Sequence, residues 1–209
     1  MPAKIEWLGH DSFRLQGAGA VVYIDPYKLD HPEPAADLIL ITHDHHDHLD
    51  PETLAKLRKD GTVIAGPKGV ATQVSGCTEV KAGEERELGG LSVKVVPAYN
   101  VNKFRNPGEP FHPKGQGVGY LVELDGETIY HTGDSDAIPE MEGLQPDVAL
   151  LPVSGTYVMT AEEAAEAARA IRPRRAIPMH YASIVGSEAD ARRFAELAQV
   201  PVEILPKAS

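Results

Sequence analysis

Four apolar residues in a row, Leu38-Ile39-Leu40-Ile41, run through Thr42 straight into His43-Asp44-His45-His46-Asp47-His48, and Asp50-Pro51-Glu52 follows at once. An unbroken apolar run reads as a strand covered on both faces, not one with a wet side. Asp50 is a helix N-cap and Pro51 a first helical residue, which predicts a short helix from there to residue 59. The histidine cluster therefore occupies a strand-to-helix loop anchored at both ends.

The rest of the chain fits around that unit. Residues 5–15, 21–25 and 62–65 read as β-like runs separated by glycine, proline and aspartate. A second wave follows at 91–98, 118–124 and 128–131, with Asp125-Gly126 a hairpin turn between the last two. Residues 148–153 repeat the buried-strand pattern, and 175–179 form another strand ending at His180. Two helices close the chain, at 161–171 after a Thr160 N-cap and at 189–199 after Ser187. Strands grouped by half, with helices after each group, predict two sheets packed face to face and helices outside. The expected fold is α/β, an αββα four-layer sandwich, in one domain spanning 1–209. The longest irregular stretch, 100–116, is too long to be an incidental loop and contains His112.

Charge and composition narrow the partners. Against 20 basic residues stand 31 acidic ones, a net charge of −11 that repels a phosphate backbone, so extended nucleic acid is disfavoured and a small-molecule substrate expected. No apolar run approaches the roughly 20 residues of a membrane helix. The lone Cys77 cannot form an internal disulfide and reads as a packing residue. With no signal-peptide pattern at the start, cytoplasmic residence is expected; self-association stays open.

The cluster has the spacing H-x-H-x-D-H. Two imidazoles one residue apart point into one cavity from a turn, and the aspartate and histidine that follow supply a second pair. Imidazole and carboxylate suit zinc, but also manganese, iron or nickel. A solvated polar loop is the competing reading. It leaves further candidate ligands at distant strand ends unexplained.

Those distant residues carry a resemblance. Trp7-Leu8-Gly9-His10, Ile24-Asp25-Pro26, the cluster itself, Gly119-Tyr120, Tyr130-His131-Thr132-Gly133-Asp134 and Pro178-Met179-His180-Tyr181 together resemble the metallo-β-lactamase superfamily, and within it the small UlaG-like metal-dependent hydrolases. The resemblance implies two divalent ions, zinc by first expectation. His43 and His45 would hold one, Asp47, His48 and His180 the other, and Asp134 would bridge them. It also implies that Asp25 orients the ligand loop.

One position departs from the pattern: Asn100 stands where related sequences often place a histidine. Asparagine is a poor transition-metal ligand. We expect His112, on the same loop, to complete the first set, and Asn100→Ala to leave metal content nearly intact. His46 is expected to point away, and His31, beside prolines, to be exposed. His10 and His131 are read either as pocket-lining or as structural histidines. Tyr181 is read as an oxyanion donor or, more commonly for such a residue, a packed aromatic.

The implied chemistry is hydrolysis. Two close ions lower the pKa of a bridging water so that hydroxide attacks an ester, lactone, amide or phosphodiester. Asp47 orients that nucleophile and Asp134 sets the ion separation. The rival readings are a diiron redox protein and a non-catalytic metal sensor.

Overall fold

The computed structural model describes residues 2–17, 19–29 and 34–208, so His31 lies outside it. Six strands form the first sheet in sequential order: β1 (Lys4–Gly9), β2 (Ser12–Gln16), β3 (Val21–Ile24), β4 (Leu38–Leu40), β5 (Val63–Gly66) and β6 (Thr78–Glu79). β1 to β3 are an antiparallel meander, whereas β3 to β6 run parallel. Parallel neighbours need a crossover. Helix α1 (Pro51–Leu57) lies in the one between β4 and β5, and α2 (Lys68–Ala71) follows β5. Asp50 caps α1 by accepting from the Glu52 N–H, with Pro51 in the first turn, as its sequence predicts.

The second sheet is built from β7 (Glu85–Leu88) and β8 (Leu91–Ala98), then, after a small ribbon of β9 (Phe104–Asn106) and β10 (Glu109–Pro110), from β11 (Gly117–Leu124), β12 (Glu127–His131), β13 (Val148–Pro152) and β14 (Arg175–Met179). Its spatial order is β14-β13-β12-β11-β8-β7. Helices α3 (Ala161–Ile171) and α4 (Glu188–Leu197) pack on each other and on β13 and β14. Thr160 and Glu163 close a capping box at the start of α3.

Alternation along the strands creates the layers. Phe13, Leu15, Ile24, Leu38 and Leu40 of the first sheet share one buried core with Val93, Tyr120, Val122 and Leu150 of the second. Tyr23, Ile39, Ile41 and Ile64 face the other way and pack under Leu54, Leu57 and Val70 of α1 and α2. β4 is thus covered on both faces, which is why its sequence is continuously apolar. Each such Leu or Ile contributes roughly 1.5–3 kcal/mol by leaving water. The architecture is the expected αββα sandwich.

Two segments differ from the sequence reading. Residues 5–15 are not one strand: the chain turns at His10-Asp11 between β1 and β2, with Gly9 at φ 108° and His10 at φ 52°. The stretch 100–116 is partly ordered as the β9–β10 ribbon, closed by Asn106-Pro107-Gly108 with Gly108 at φ 79°. β6, β7 and α2 were not foreseen. They are two to four residues long, and the Glu85-Arg86-Glu87 of β7 is exposed, so none carries a readable apolar period.

Candidate metal centre

β4 delivers the histidine loop, and a buried carboxylate shapes it. Asp25, just past β3 in a left-handed conformation, accepts from the Thr42 N–H at 2.7 Å and the Thr42 hydroxyl at 2.6 Å, and pairs with His48 Nδ1 at 2.7 Å. That last contact leaves His48 Nε2 free to face the centre, the usual way an outer carboxylate fixes a ligand's tautomer and aim. The loop tightens where the His48 and Leu49 N–H groups both donate to the His45 carbonyl.

The second sheet brings the remaining groups. Asp134 follows β12 through Thr132-Gly133, where Gly133 has φ 63° and an added Cβ would meet the Val118 carbonyl at 2.7 Å. His180 follows β14, again left-handed at φ 57°, with Nδ1 on the Ser154 hydroxyl at 2.9 Å. His112 comes from the loop after β10.

Three sets of side-chain donors result, two separate ones and a third that shares a histidine with each. His43, His45 and His112 offer ligand atoms within 4.8 Å of one another; so do His10, Asp11, His48 and His180, and a third set joins His43, His48 and Asp134. Asp134 stands between them: one oxygen lies 3.5 Å from His48 Nε2, the other 3.2 Å from His112 Nε2 and 3.4 Å from His180 Nε2. Every group named here except His45 is buried. Yet the Asp11 oxygens, one Asp134 oxygen, His48 Nε2 and His180 Nε2 have no hydrogen-bond partner. Buried polar atoms are normally satisfied. Donors of this chemistry, aimed at one another and unpaired, fit divalent cations.

The protonation tendencies follow from burial and charge. Burial, reinforced by the charge of His48, holds His43 well below the ordinary imidazole range. Burial likewise lowers His45. Against its own burial, Asp134 and Asp25 hold His48 well above that range, and Asp11 and Asp134 push His180 up to about 9. Asp134 is held well below the carboxylate range despite burial, by His180, His48 and His112.

The sequence expectations fare differently at each residue. Asp47 is half-buried; one oxygen lies 3.2 Å from His10 Nε2 and 4.0 Å from His48 Nε2. His46 is exposed, as expected. His131 is structural: Nε2 donates to the Asp11 carbonyl at 2.9 Å and Nδ1 accepts from the Gly133 N–H at 3.1 Å. His10 lines the centre. Tyr181 is the packed aromatic, stacked on Trp7 at 4.7 Å. Burial raises the Cys77 thiol to about 11, as suits a packing residue. Asp11 was missed altogether, because a continuous strand over residues 5–15 hides the turn that presents it.

Asn100 does not face the histidines as a ligand would. Its side-chain oxygen accepts from the His112 N–H at 2.8 Å and meets His112 Nδ1 at 3.0 Å, while its amide donates to Asp136 and to the Tyr157 carbonyl. Asn100 therefore orients His112, and the expectation that its removal is silent gives way. Asn100→Ala is expected to weaken metal binding at the His43, His45 and His112 set about 10–100-fold, measured by competitive chelator titration.

A cavity of about 370 Å³ opens above the centre, floored by Asp47, His112 and Asp134 and rimmed by Arg105, Phe111 and Tyr157. Phe111 and Tyr157 pack ring against ring at 4.6 Å, and the Arg105 guanidinium lies 5.4 Å from the Phe111 ring.

Residues 4–180 match the β-lactamase superfamily domain. The chain belongs to the metallo-β-lactamase superfamily. A UPF0173 metal-dependent hydrolase of Methanopyrus kandleri is 33% identical over 91% of this chain and 89% of its own length. The crystal structure of a protein described as a metal-dependent hydrolase from Parabacteroides distasonis superposes with a TM-score of 0.88 at 30% identity, covering 99% of this chain and 94% of that one. A diiron β-hydroxylase from Streptomyces venezuelae shares the fold alone, with a TM-score of 0.65 at 16% identity over 86% of this superfamily member and 45% of that chain.

Proposed function

We propose that this protein hydrolyses a small molecule at two divalent ions. One would be held by His43, His45 and His112, the other by His48 and His180, with Asp134 shared. The observation that carries the reading is the set of buried, unpaired donor atoms beneath an open cavity. Two bound ions would lower the pKa of a water towards neutrality and polarise the oxygen of an ester, lactone, amide or phosphodiester. Zinc is the first choice on donor chemistry, with manganese, iron and nickel as alternatives.

The chain's own groups do the rest. Asp47, at the floor of the cavity, is steadied by His10 and accepts a hydrogen bond from the attacking water. The cavity, about 370 Å³, is of a size to hold a small substrate. No helix among the described residues is long and apolar enough to cross a membrane. Cytoplasmic residence remains our reading from the lone thiol.

The test is turnover of the zinc- and manganese-loaded protein on a panel of the four substrate classes. Two ions bound with no turnover on any class would favour a metal sensor. Oxygen consumption with a reductant by the iron-loaded protein would favour the redox reading.

Arg105 sets a narrower expectation. It forms no ion pair with a described residue, although carboxylates and histidines floor the cavity that it rims with Phe111 and Tyr157. An anionic substituent on the substrate would meet it. Arg105→Ala is expected to raise KM about ten-fold for anionic members of the panel and leave neutral ones unchanged. An equal effect on both would assign Arg105 to shape alone.

A further inference from the structure

We infer that Asp11 is a ligand of the second ion, and that it makes the second position richer in oxygen, and so more hospitable to a hard cation, than the three-histidine position. The inference rests on the dinuclear reading above.

Asp11 is fully buried, and neither carboxylate oxygen accepts a hydrogen bond. A buried carboxylate left so costs several kcal/mol and persists only where a cation offsets it. Three imidazoles surround it, yet their distances are not those of ordinary ion pairs. One Asp11 oxygen lies 3.4 Å from His10 Nε2, 3.6 Å from His48 Nε2 and 3.8 Å from His180 Nε2. A protonated histidine bonded to a carboxylate approaches to about 2.7–2.9 Å. Ligands about 2.0–2.2 Å from a shared tetrahedral ion stand instead roughly 3.3–3.6 Å apart. The His48 to Asp134 and His180 to Asp134 separations of 3.5 and 3.4 Å complete the same pattern. Asp47, by contrast, is within hydrogen-bond range of His10 and opens onto the cavity.

The turn that presents Asp11 is pinned from the second sheet. His131 donates to the Asp11 carbonyl, and the His180 N–H donates to the His10 carbonyl at 3.1 Å. Asp11 is therefore placed on a rigid support beside His180. The resulting donor sets differ: three imidazoles and Asp134 at one position, and at the other His48 and His180 with Asp11 and Asp134, since His10 Nε2, the third imidazole beside Asp11, is taken up by Asp47 at 3.2 Å. Imidazole suits zinc, and added carboxylate brings manganese and iron(II) nearer to parity with it.

The test uses the full chain, stripped and then titrated with zinc or manganese alone, with bound metal counted by mass spectrometry. The wild-type protein is expected to take two ions, and manganese preferentially at one position. Asp11→Asn is expected to keep one zinc and to lose affinity for the other, and for manganese, by at least about 100-fold. Retention of one tight zinc shows that the fold survives the substitution. Two ions held by Asp11→Asn with unchanged affinities would overturn the inference and leave the dinuclear reading standing; fewer than two in the wild type would overturn that reading itself. Anomalous diffraction from zinc-loaded wild-type crystals gives the answer without a variant. An Asp11 oxygen about 2.0–2.2 Å from an ion supports the inference, and one beyond 3 Å with Asp47 coordinated in its place refutes it.

Discussion

Asp134→Ala is expected to empty both metal positions and to reduce kcat/KM by about a thousand-fold or more. Among the described residues Asp134 is the carboxylate that lies within 4 Å of histidines of both donor sets, at 3.2 Å from His112 and at 3.5 and 3.4 Å from His48 and His180. Removing a partner that merely orients a ligand costs about 10–100-fold in metal affinity. Loss of a shared ligand should exceed that at each position and remove the charge that offsets two adjacent cations. Metal counted by mass spectrometry after dialysis, together with turnover on the best substrate, checks this. Full retention of two ions by the variant would take Asp134 out of the bridging role.

Chelation of the wild-type protein should lower its melting temperature by about 15 °C or more. An ion present at a thousand times its Kd stabilises the folded chain by about 4 kcal/mol, so two contribute about 8. In a domain of this size each kcal/mol moves Tm by about 2–4 °C. Stripping the ions also leaves both Asp11 oxygens and one Asp134 oxygen buried without a partner, a further cost to the folded state. Calorimetry on protein whose metal removal has been verified measures the shift, and readdition of zinc should restore it. An unchanged Tm would mean that the centre is uncoupled from folding.

The αββα layering and most of the donor residues were legible in the sequence because local patterns encode them. The apolar run at 38–41 is continuous because β4 is covered by the core on one face and by α1 and α2 on the other. Asp50-Pro51 and Thr160 are caps whose chemistry acts within a few residues. The same holds for the H-x-H-x-D-H loop, whose spacing is local, and for Asp134 and His180, which end strands with recognisable motifs.

What the sequence could not decide is which donors share an ion, because that depends on contacts between the two sheets. Asp11 sits in a run that alternates like a strand, and only the left-handed turn at His10, pinned by His131 and His180, carries it into the centre. Asn100 looks like a vacancy in the ligand set until its side-chain oxygen is found on His112, twelve residues away across the ribbon loop. His10 and His131 are both buried and both histidine. One lines the centre and the other holds the backbone behind Asp11, a distinction set by which carbonyls the opposite sheet places within reach. Local sequence thus determined most of the longer strands, the caps and the ligand loop through short-range sterics and burial periodicity. Only the packing of one sheet on the other decided which carboxylates and imidazoles converge.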